Sequence, residues 1–319
     1  MKERSKKYAK THHINDPTSY HLQDLESLGW ELTVCNSLEN KDSPCRHILK
    51  DNNTFGNLLY KHLEHFLNWD KIVNVIEVGG GYGYLMRDFL EQKKFAQVMM
   101  LDLSLALLQE QKKNLSNGNL EFKQKDFLEV NFNDLKNFDL AIFNENLGDF
   151  PTVCQLDLNF FSLPLNKLDN LQLEVKKFFK KYSLPMPHKK IFNFNLGAIK
   201  ALEKTCQAGL KYIYLSEHSC EVASKEKVDE KFKFFPTGDP EQIKLKGHDE
   251  YTLKFSYLEK VARSFGYQVK RGQFVDFIKI VESDRLNFIL NSDSQKDEHE
   301  IIRHFVYDLY KYEYLILIK

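Results

Sequence analysis

The stretch IEVGGGYGYLMRDFL, at residues 76–90, constrains the fold of this chain more than any other feature. It overlaps an apolar run, IVNVIEV, whose continuous β-rich character predicts a buried strand of a parallel sheet. Four glycines then occupy five positions, and a segment with helical spacing, GYLMRDFLEQ, opens directly after them. A strand, a glycine-rich loop and a helix in this order are typical of an α/β fold that holds a phosphate-type or nucleoside-type ligand at the loop.

The alternation of strands and helices continues beyond the loop and defines the class of sheet. Further strands are predicted at QVMMLDL, LEFKQ, FDLAIFN and KYIYLSE, with a short strand at YQVKR and a last one at YEYLILIK. Helices are predicted at SLALLQEQKKNL, with Ser104 as its N-cap, at GAIKALEKTCQAGL and at FSYLEKVARSFG. Because strands that alternate with helices form parallel sheets covered on both faces, the sequence predicts an α/β protein with a parallel, doubly wound sheet.

Two segments stand outside this alternation. Residues 1–70 contain one amphipathic helix, FGNLLYKHLEHFLNW, and are expected to form an N-terminal helical cap on a domain of residues 71–319. After Pro151 the alternation lapses, and residues 152–190 are predicted to be an inserted functional element. Within this insertion four apolar residues recur at helical spacing with lysines between them: Val175, Phe178, Phe179 and Tyr182. This pattern predicts an amphipathic helix with a lysine face.

Bulk properties narrow the classes of partner and compartment. Basic and acidic residues both number 45, so no global field favours nucleic acid or an anionic membrane. No apolar stretch approaches the roughly 20 residues that a membrane span needs. Five scattered cysteines predict free thiols in a reducing compartment, the cytoplasm or alternatively the mitochondrial matrix. His62 and His65 are three apart, but no second set of ligands stands near them, so no metal site is predicted.

The order of the glycines indicates the class of ligand. A dinucleotide fold requires the spacing G-x-G-x-x-G, but counted from Gly79 or from Gly81 the third position holds a tyrosine or a methionine. The spacing Glu77-x-Gly79-x-Gly81-x-Gly83 resembles instead that of class I S-adenosylmethionine (SAM) methyltransferases. This resemblance implies the Rossmann-like fold of that class, SAM as the cofactor and S-adenosylhomocysteine (SAH) as the product.

SAM carries a sulfonium, an ammonium and a carboxylate in place of two phosphates. Glycines let the backbone close around the methionine moiety, and Glu77 supplies negative charge near its cationic end. Asp102 lies 23 positions after Gly79, near where these folds place an acid that accepts both ribose hydroxyls. Asp126 is placed to accept from the adenine amino group, and Phe127 to pack on the ring. The expected cofactor-binding residues are Glu77, Gly79, Gly81, Gly83, Tyr84, Asp102, Leu103, Asp126, Phe127 and Asn144.

A finer resemblance extends over most of residues 55–280. The runs GYGYLMRDFL and LDLSLALLQEQKKNL are similar to segments of the MidA-type protein arginine methyltransferases, the family that includes a mitochondrial complex I assembly factor. The run NENLGDFP is similar to the family's loop after the fourth strand, with Asn144, Glu145 and Pro151 in place. The resemblance implies methyl transfer to a protein arginine side chain, with Glu145 and Asn144 as the catalytic residues.

The chemistry of the acceptor leaves three hypotheses open. A guanidinium stays charged at neutral pH, so a carboxylate must hold its N–H groups, and Glu145 is the best candidate for that role. Alternatively, Glu217 and His218 would form a general base pair for a small-molecule hydroxyl or amine. The third hypothesis is a non-catalytic SAM-binding assembly factor. A protein or small-molecule methyl acceptor is therefore the expected partner, and a homodimer is a further expectation.

Overall fold

The computed structural model describes residues 12–23, 33–116, 118–222, 236–292 and 294–319. The basic N-terminal stretch and part of the expected cap, residues 1–11 and 24–32, lie outside these ranges. The strands are β1 His13–Asn15, β2 Asn74–Val78, β3 Gln97–Asp102, β4 Leu120–Gln124, β5 Leu140–Asn144, β6 Thr152–Asp157, β7 Ile191–Phe194, β8 Tyr212–His218, β9 Gln242–Lys244, β10 Asp249–Tyr251, β11 Gln268–Gln273 and β12 Tyr312–Ile318.

The helices confirm the segments that the sequence predicts as helical and add several short ones. They are α1 Thr18–His21, α2 Val34–Ser37, α3 Pro44–His47, α4 Phe55–Leu63, α5 Tyr84–Gln92, α6 Leu105–Asn114, α7 Phe132–Leu135, α8 Asn170–Tyr182, α9 Leu196–Ala208, α10 Phe255–Ser264, α11 Asp284–Asn291 and α12 Asp297–Lys311. Of these, α11 and the 15-residue α12 are longer helices that are not predicted from the sequence. At α6 the Ser104 side chain accepts a hydrogen bond from the Leu107 N–H, as its predicted N-cap role requires.

A seven-stranded sheet forms the centre of the fold, in the order β11-β12-β8-β5-β2-β3-β4. Strands β4, β3, β2, β5 and β8 pair in parallel, whereas β12 pairs antiparallel with both β8 and β11. The expectation of a wholly parallel sheet is therefore wrong at β12. A buried apolar run looks the same in either direction, so the sequence predicts that β12 is a strand without predicting its orientation.

Helices cover both faces of this sheet, as the doubly wound prediction requires. Alternate strand residues point to opposite faces, and Ile76 and Val75 accordingly belong to two separate buried cores. The first core packs the sheet against α8, α9 and α10, and the second packs it against α4, α5, α11 and α12. Burial of apolar area on both faces is the main stabilisation of the sheet.

The segment at residues 152–190 has regular structure of its own. β6 pairs antiparallel with β7 and with β1, which makes a separate three-stranded sheet, and α8 lies between β6 and β7 in the chain. The predicted amphipathic helix is confirmed, because the four apolar residues named above are buried in the first core while Lys177 and Lys180 are exposed. α8 is thus packed into the core of the domain.

The described part of the N-terminal region packs directly on the sheet. Apolar residues of α2, α3 and α4 share the second core with α5, α11 and α12. This part of the chain is continuous with the core of the domain. Among the described residues, no helix is both long and apolar enough to cross a membrane.

Candidate cofactor and acceptor site

The glycine loop joins β2 to α5 at the carboxyl edge of the parallel strands. Gly79, Gly81 and Gly83 have φ angles of 62°, 52° and 83°, in the left-handed region that favours glycine. A Cβ on Gly79 would stand 2.5 Å from the Asn146 side-chain nitrogen, so a larger residue would displace Asn146 and the loop after β5. A Cβ on Gly81 would meet nothing within 4 Å and would project into open space. Gly83 is the N-cap of α5.

Two pockets flank this loop and meet at Gly79. The first, called here the Asp102 pocket, is lined by Thr18, His21, Val78, Gly79, Leu101, Asp102, Leu103, Lys125, Asp126, Phe127, Asn146, Asp149, Phe150 and Pro151. The second, called the Glu145 pocket, is lined by Thr33, Cys35, Asn36, Glu77, Gly79, Gly80, Gly81, Tyr82, Tyr84, Leu85, Asn144 and Glu145. The two pockets therefore contain every site residue predicted from the sequence except Gly83, which is the N-cap of α5.

Asp102 is buried at the end of β3 and has partners on both carboxylate oxygens. Its Oδ1 accepts from the Ser104 N–H at 2.9 Å, and its Oδ2 accepts from the Gln111 side-chain amide at 3.1 Å. The same Gln111 amide donates to the Gly81 carbonyl at 2.9 Å, which ties the acid to the glycine loop. Burial raises the pKa of Asp102, and these hydrogen bonds lower it. Burial has the larger effect, so the pKa is about 6.

Asp126 and Phe127 stand at the end of β4 on the opposite wall of the Asp102 pocket. One Asp126 oxygen accepts from the Leu128 N–H at 2.7 Å and caps a short 3-10 turn. Phe127 is buried and packs edge-to-face on Phe143, with ring centroids 5.0 Å apart. The Lys204 ammonium donates to the carbonyls of this turn, including that of Phe127 at 3.1 Å. The turn is therefore held firmly at the pocket wall.

Glu77 is 2% exposed at the end of β2, and its Oε2 atom has no hydrogen-bond partner among the described residues. Burial, together with the nearby charge of Asp102, raises the pKa of Glu77 to about 8. A buried carboxylate oxygen without a partner costs free energy unless a ligand satisfies it. Glu77 lines the Glu145 pocket, so a cation bound there would both pair with this oxygen and favour its ionised form.

Glu145 follows β5 in a left-handed backbone conformation, with φ of 54°, which is uncommon outside glycine. Its Oε2 accepts from the Val34 N–H at 2.9 Å, and its Oε1 accepts from the Cys35 N–H at 3.2 Å. Asn144 also donates to Oε1, at 3.1 Å. The carboxylate thus binds the free amides at the start of α2 and fixes this segment against the pocket. Burial, opposed by these donors, raises the pKa of Glu145 to about 7.

The alternative base pair, Glu217 and His218, has structural partners and lines neither of the two pockets. Glu217 is 3% exposed and accepts a hydrogen bond from the Gly148 N–H at 3.0 Å. This contact stabilises the loop after β5. His218 contacts the Asp308 carboxylate at 3.2 Å and packs on Tyr312, with ring centroids 3.9 Å apart. The sequence shows that both residues end a strand, but not that their partners come from other elements.

Three residues of this region carry no signal in the sequence. His21 and Asp149 line the Asp102 pocket, and His248 lies against Asp149, with 3.0 Å between its Nε2 and the Asp149 Oδ1. They come from α1, from the 3-10 turn after β5 and from the turn before β10. Such a convergence has no local motif, because the three residues are far apart in the chain.

Comparison with known proteins is consistent with this geometry. Residues 75–155 match the family model of the methyltransferase domain. The chain carries a methyltransferase domain over these residues. Its fold is similar to that of an uncharacterized superfamily protein from Burkholderia thailandensis, with a TM-score of 0.52 and 10% identity over 83% of this chain and 79% of that one. It is also similar to a SAM-dependent methyltransferase from Mesorhizobium loti, with a TM-score of 0.46 and 11% identity over 82% of this chain and 98% of that one. No curated protein matches the chain.

The expected class I methyltransferase fold is thus confirmed, and the match to the methyltransferase domain indicates an enzyme whose expected methyl donor is SAM. The residues present fit this group. The Glu77 Oε2 atom is buried and has no hydrogen-bond partner among the described residues, and a Cβ on Gly80, in the same pocket, would stand 3.1 Å from it. Asp102, Asp126 and Phe127 supply acceptors and an aromatic ring in the adjoining pocket.

Proposed function

We propose that this methyltransferase transfers the methyl group to an arginine side chain of a protein, as the resemblance to the MidA-type family implies. The acidic lining of the Glu145 pocket carries this proposal. Glu77 and Glu145 both line the pocket, and its described lining residues include no lysine, arginine or histidine. A cationic acceptor is favoured beside the buried Glu77 and the partly buried Glu145, because opposite charges lower the cost of burying one another.

The cofactor supplies an electrophilic methyl group on a sulfonium. The Asp102 pocket would hold its adenosine part, with Asp102 accepting from the ribose hydroxyls and Phe127 packing against the base. The Glu145 pocket would hold the methionine part, with Glu77 facing the cationic groups. Gly79 belongs to both pockets, so the junction between them is the place where acceptor and donor would meet.

The acceptor capacity of Glu145 limits how it holds a guanidinium. A carboxylate offers about four lone-pair positions, and three are taken by Val34, Cys35 and Asn144. One position on Oε2 is open for a single N–H. A grip on two N–H groups requires that one amide of α2 be released. We therefore propose that the acceptor arginine replaces one of these amides, so that acceptor binding and the position of α2 are linked.

The direct test is methyl transfer by the full chain from SAM labelled on the methyl group. A protein extract and a small-molecule extract serve as parallel acceptors, and the modified residue is identified by mass spectrometry. We expect methylarginine in the protein fraction. Label confined to the small-molecule fraction would contradict the proposal. The Glu145→Gln variant is assayed in the same way. Glu64→Gln is its matched control, because Glu64 is exposed and lies outside both pockets.

A small-molecule hydroxyl or amine is the second candidate acceptor. It is favoured by the imidazole of His21, which lies on the wall of the Asp102 pocket beside Asp149. Such a group would accept the proton that a hydroxyl loses on methylation. Label in a small-molecule ether or amine, abolished in the His21→Ala variant and retained in Glu145→Gln, would support this candidate.

We also propose a reducing compartment, the cytoplasm or alternatively the mitochondrial matrix. All five cysteines are free, and four of them are buried. Location of the tagged full chain by microscopy and fractionation tests this proposal, and export to an oxidising compartment would contradict it.

A further inference from the structure

Three distant segments bring two imidazoles and a carboxylate to one point at the edge of the Asp102 pocket. The His21 Nε2 lies 3.2 Å from the Asp149 Oδ1, and the His248 Nε2 lies 3.0 Å from the same oxygen. Glu250 adds a second carboxylate, with its Oε1 3.4 Å from the His248 Nε2. The three ligand atoms of His21, Asp149 and His248 all lie within 4.8 Å of one another.

The contacts of Asp149 with the two imidazoles lack hydrogen-bond geometry, although each separation also suits an ion pair with a protonated imidazole. The His21 Nε2, the His248 Nε2 and the Asp149 Oδ1 are fully buried and have no hydrogen-bond partner among the described residues. Their separations are short enough for hydrogen bonds, so it is the angles that are unsuitable. Asp149 also has no lysine or arginine partner in the described part of the chain. Buried polar atoms that converge without bonding one another are typical of a site that lacks its ligand.

We propose that His21, Asp149 and His248 bind a divalent transition-metal ion, with Zn²⁺ as the preferred ion. Bonds of about 2.0–2.2 Å to nitrogen and oxygen place neighbouring ligand atoms roughly 3.0 Å apart in octahedral and about 3.4 Å apart in tetrahedral geometry. The observed separations of 3.0 and 3.2 Å from the Asp149 Oδ1 to the two imidazole nitrogens fall in that range. Two imidazoles with a carboxylate favour Zn²⁺ or a neighbouring first-row ion over Mg²⁺ or Ca²⁺, which take oxygen ligands.

The surroundings of His248 hold its ring in place. Tyr20 stacks on the imidazole, with ring centroids 4.2 Å apart and an angle of 22° between the planes. Gly247 permits this approach, because a Cβ there would stand 2.6 Å from the Tyr20 ring. The Asn15 side chain donates to the Asp249 carbonyl at 2.9 Å and ties the N-terminal segment to the same hairpin. The ring of His248 is therefore held by aromatic packing, while its Nδ1 has no hydrogen-bond partner among the described residues.

A metal ion at this point would join α1, the turn after β5 and the β9–β10 hairpin. Two of its ligands, His21 and Asp149, line the Asp102 pocket, so the ion would fix one wall of the place where the adenosine part of SAM would bind. A metal-bound His21 could not also act as a general base, so the ion would exclude the His21 mechanism for a small-molecule acceptor, while it leaves the arginine proposal unaffected.

The test uses the full chain, stripped of metal by a chelator and dialysed, without SAM or acceptor. Zn²⁺ is titrated by calorimetry against a competing chelator, and retained metal is counted by elemental mass spectrometry. Co²⁺ is then bound and its visible absorption recorded, because that spectrum reports nitrogen and oxygen ligands of the ion directly. We expect one ion per chain and a Co²⁺ spectrum typical of mixed imidazole and carboxylate ligands.

Variants assign the ligands. His248→Ala and Asp149→Asn should each weaken Zn²⁺ binding at least 100-fold, beyond the roughly 10- to 100-fold loss that follows removal of an outer partner. His299→Ala is the matched control and should bind as the parent does, since His299 contacts Ser294 in a different region. His21→Gln is a milder variant for use if the others fail to fold. The proposal would be overturned if the parent did not bind Zn²⁺ or if His248→Ala bound it equally well. The cluster would then be explained by protonated imidazoles paired with Asp149.

Discussion

At the scale of single residues, Asp102 is the clearest test of the cofactor site. Asp102→Ala removes the acceptor for the ribose hydroxyls and is expected to cost roughly 1.5 to 3 kcal/mol of SAM affinity. The Ser104 and Gln111 donors would also lose their partner, so the affinity of Asp102→Asn is needed for comparison. Calorimetric titration with SAM and SAH measures both variants. Unchanged affinity in Asp102→Ala, with an intact circular dichroism spectrum, would remove this residue from the site.

Glu145 combines a structural contact with a proposed role toward the acceptor. In Glu145→Gln the amide keeps one oxygen acceptor, whereas the Val34 and Cys35 N–H groups both need one. We expect a loss of about 1 to 3 kcal/mol in the free energy of unfolding. If the acceptor is arginine, we also expect a fall in rate of about 10² to 10³. Chemical denaturation and single-turnover methyl transfer separate the two effects.

His218→Ala is the companion variant for that measurement. Since His218 contacts Asp308 and lies outside both pockets, its loss should leave the methyl-transfer rate nearly unchanged. The reverse pattern, an active Glu145→Gln and an inactive His218→Ala, would indicate a small-molecule hydroxyl or amine acceptor.

At the scale of elements, α8 is expected to contribute to stability through its apolar face. Phe179 is buried against Phe161, Phe194 and Tyr257, with ring centroids 4.8, 5.3 and 5.5 Å away. Phe179→Ala should therefore lower the free energy of unfolding by about 3 to 5 kcal/mol. Lys180→Ala, at the exposed neighbouring position, should change it by less than about 0.5 kcal/mol. Denaturant unfolding measures both variants, and the comparison requires that the free energy of unfolding depend equally on denaturant concentration in both. A Phe179→Ala variant with nearly unchanged free energy of unfolding would contradict this packing.

The packing of α8 also bears on the proposed function of residues 152–190. Deleting the segment would expose the first core, so point substitutions at the β6 end are the better probe of a role near the acceptor. Phe150 and Pro151, which lead into β6, line the Asp102 pocket. That the segment covers an acceptor site stays a prediction.

Elements differ in how well the sequence predicts them, for a physical reason. The glycine loop, β3 with Asp102 and the N-cap at Ser104 depend on neighbours in the chain, so local spacing is enough to find them. The pairing of β1 with β6, the direction of β12 and the α2 amides on Glu145 depend on contacts between distant segments. The cluster of His21, Asp149 and His248 is of the same kind. A single sequence has no local signal for such contacts.

At the scale of the whole molecule, ionisation of Glu77 couples stability and cofactor binding to pH. Burial and the charge of Asp102 raise the pKa of Glu77 from its ordinary value of 4.5 to about 8 in the folded protein. The stabilisation from the protonated form is complete below pH 4.5 and is lost as the pH rises through 8. Burial also raises the pKa of Glu217, which acts in the same direction. Burial lowers the pKa of His62 to about 4, and its opposing effect is confined to pH values below its ordinary 6.5.

Between pH 6.5 and 8.5 the cofactor-free protein should therefore lose stability as the pH rises, while its affinity for SAM increases. The affinity increases because the cationic groups of SAM favour the ionised carboxylate of Glu77, so that binding releases a proton in this range. Thermal unfolding at a series of pH values, with and without SAM, measures both trends. Glu77→Gln cannot ionise and should flatten the pH dependence of SAM binding, while the contribution of Glu217 to stability is retained. An unchanged pH dependence of affinity in Glu77→Gln would show that another group takes up the charge of the cofactor.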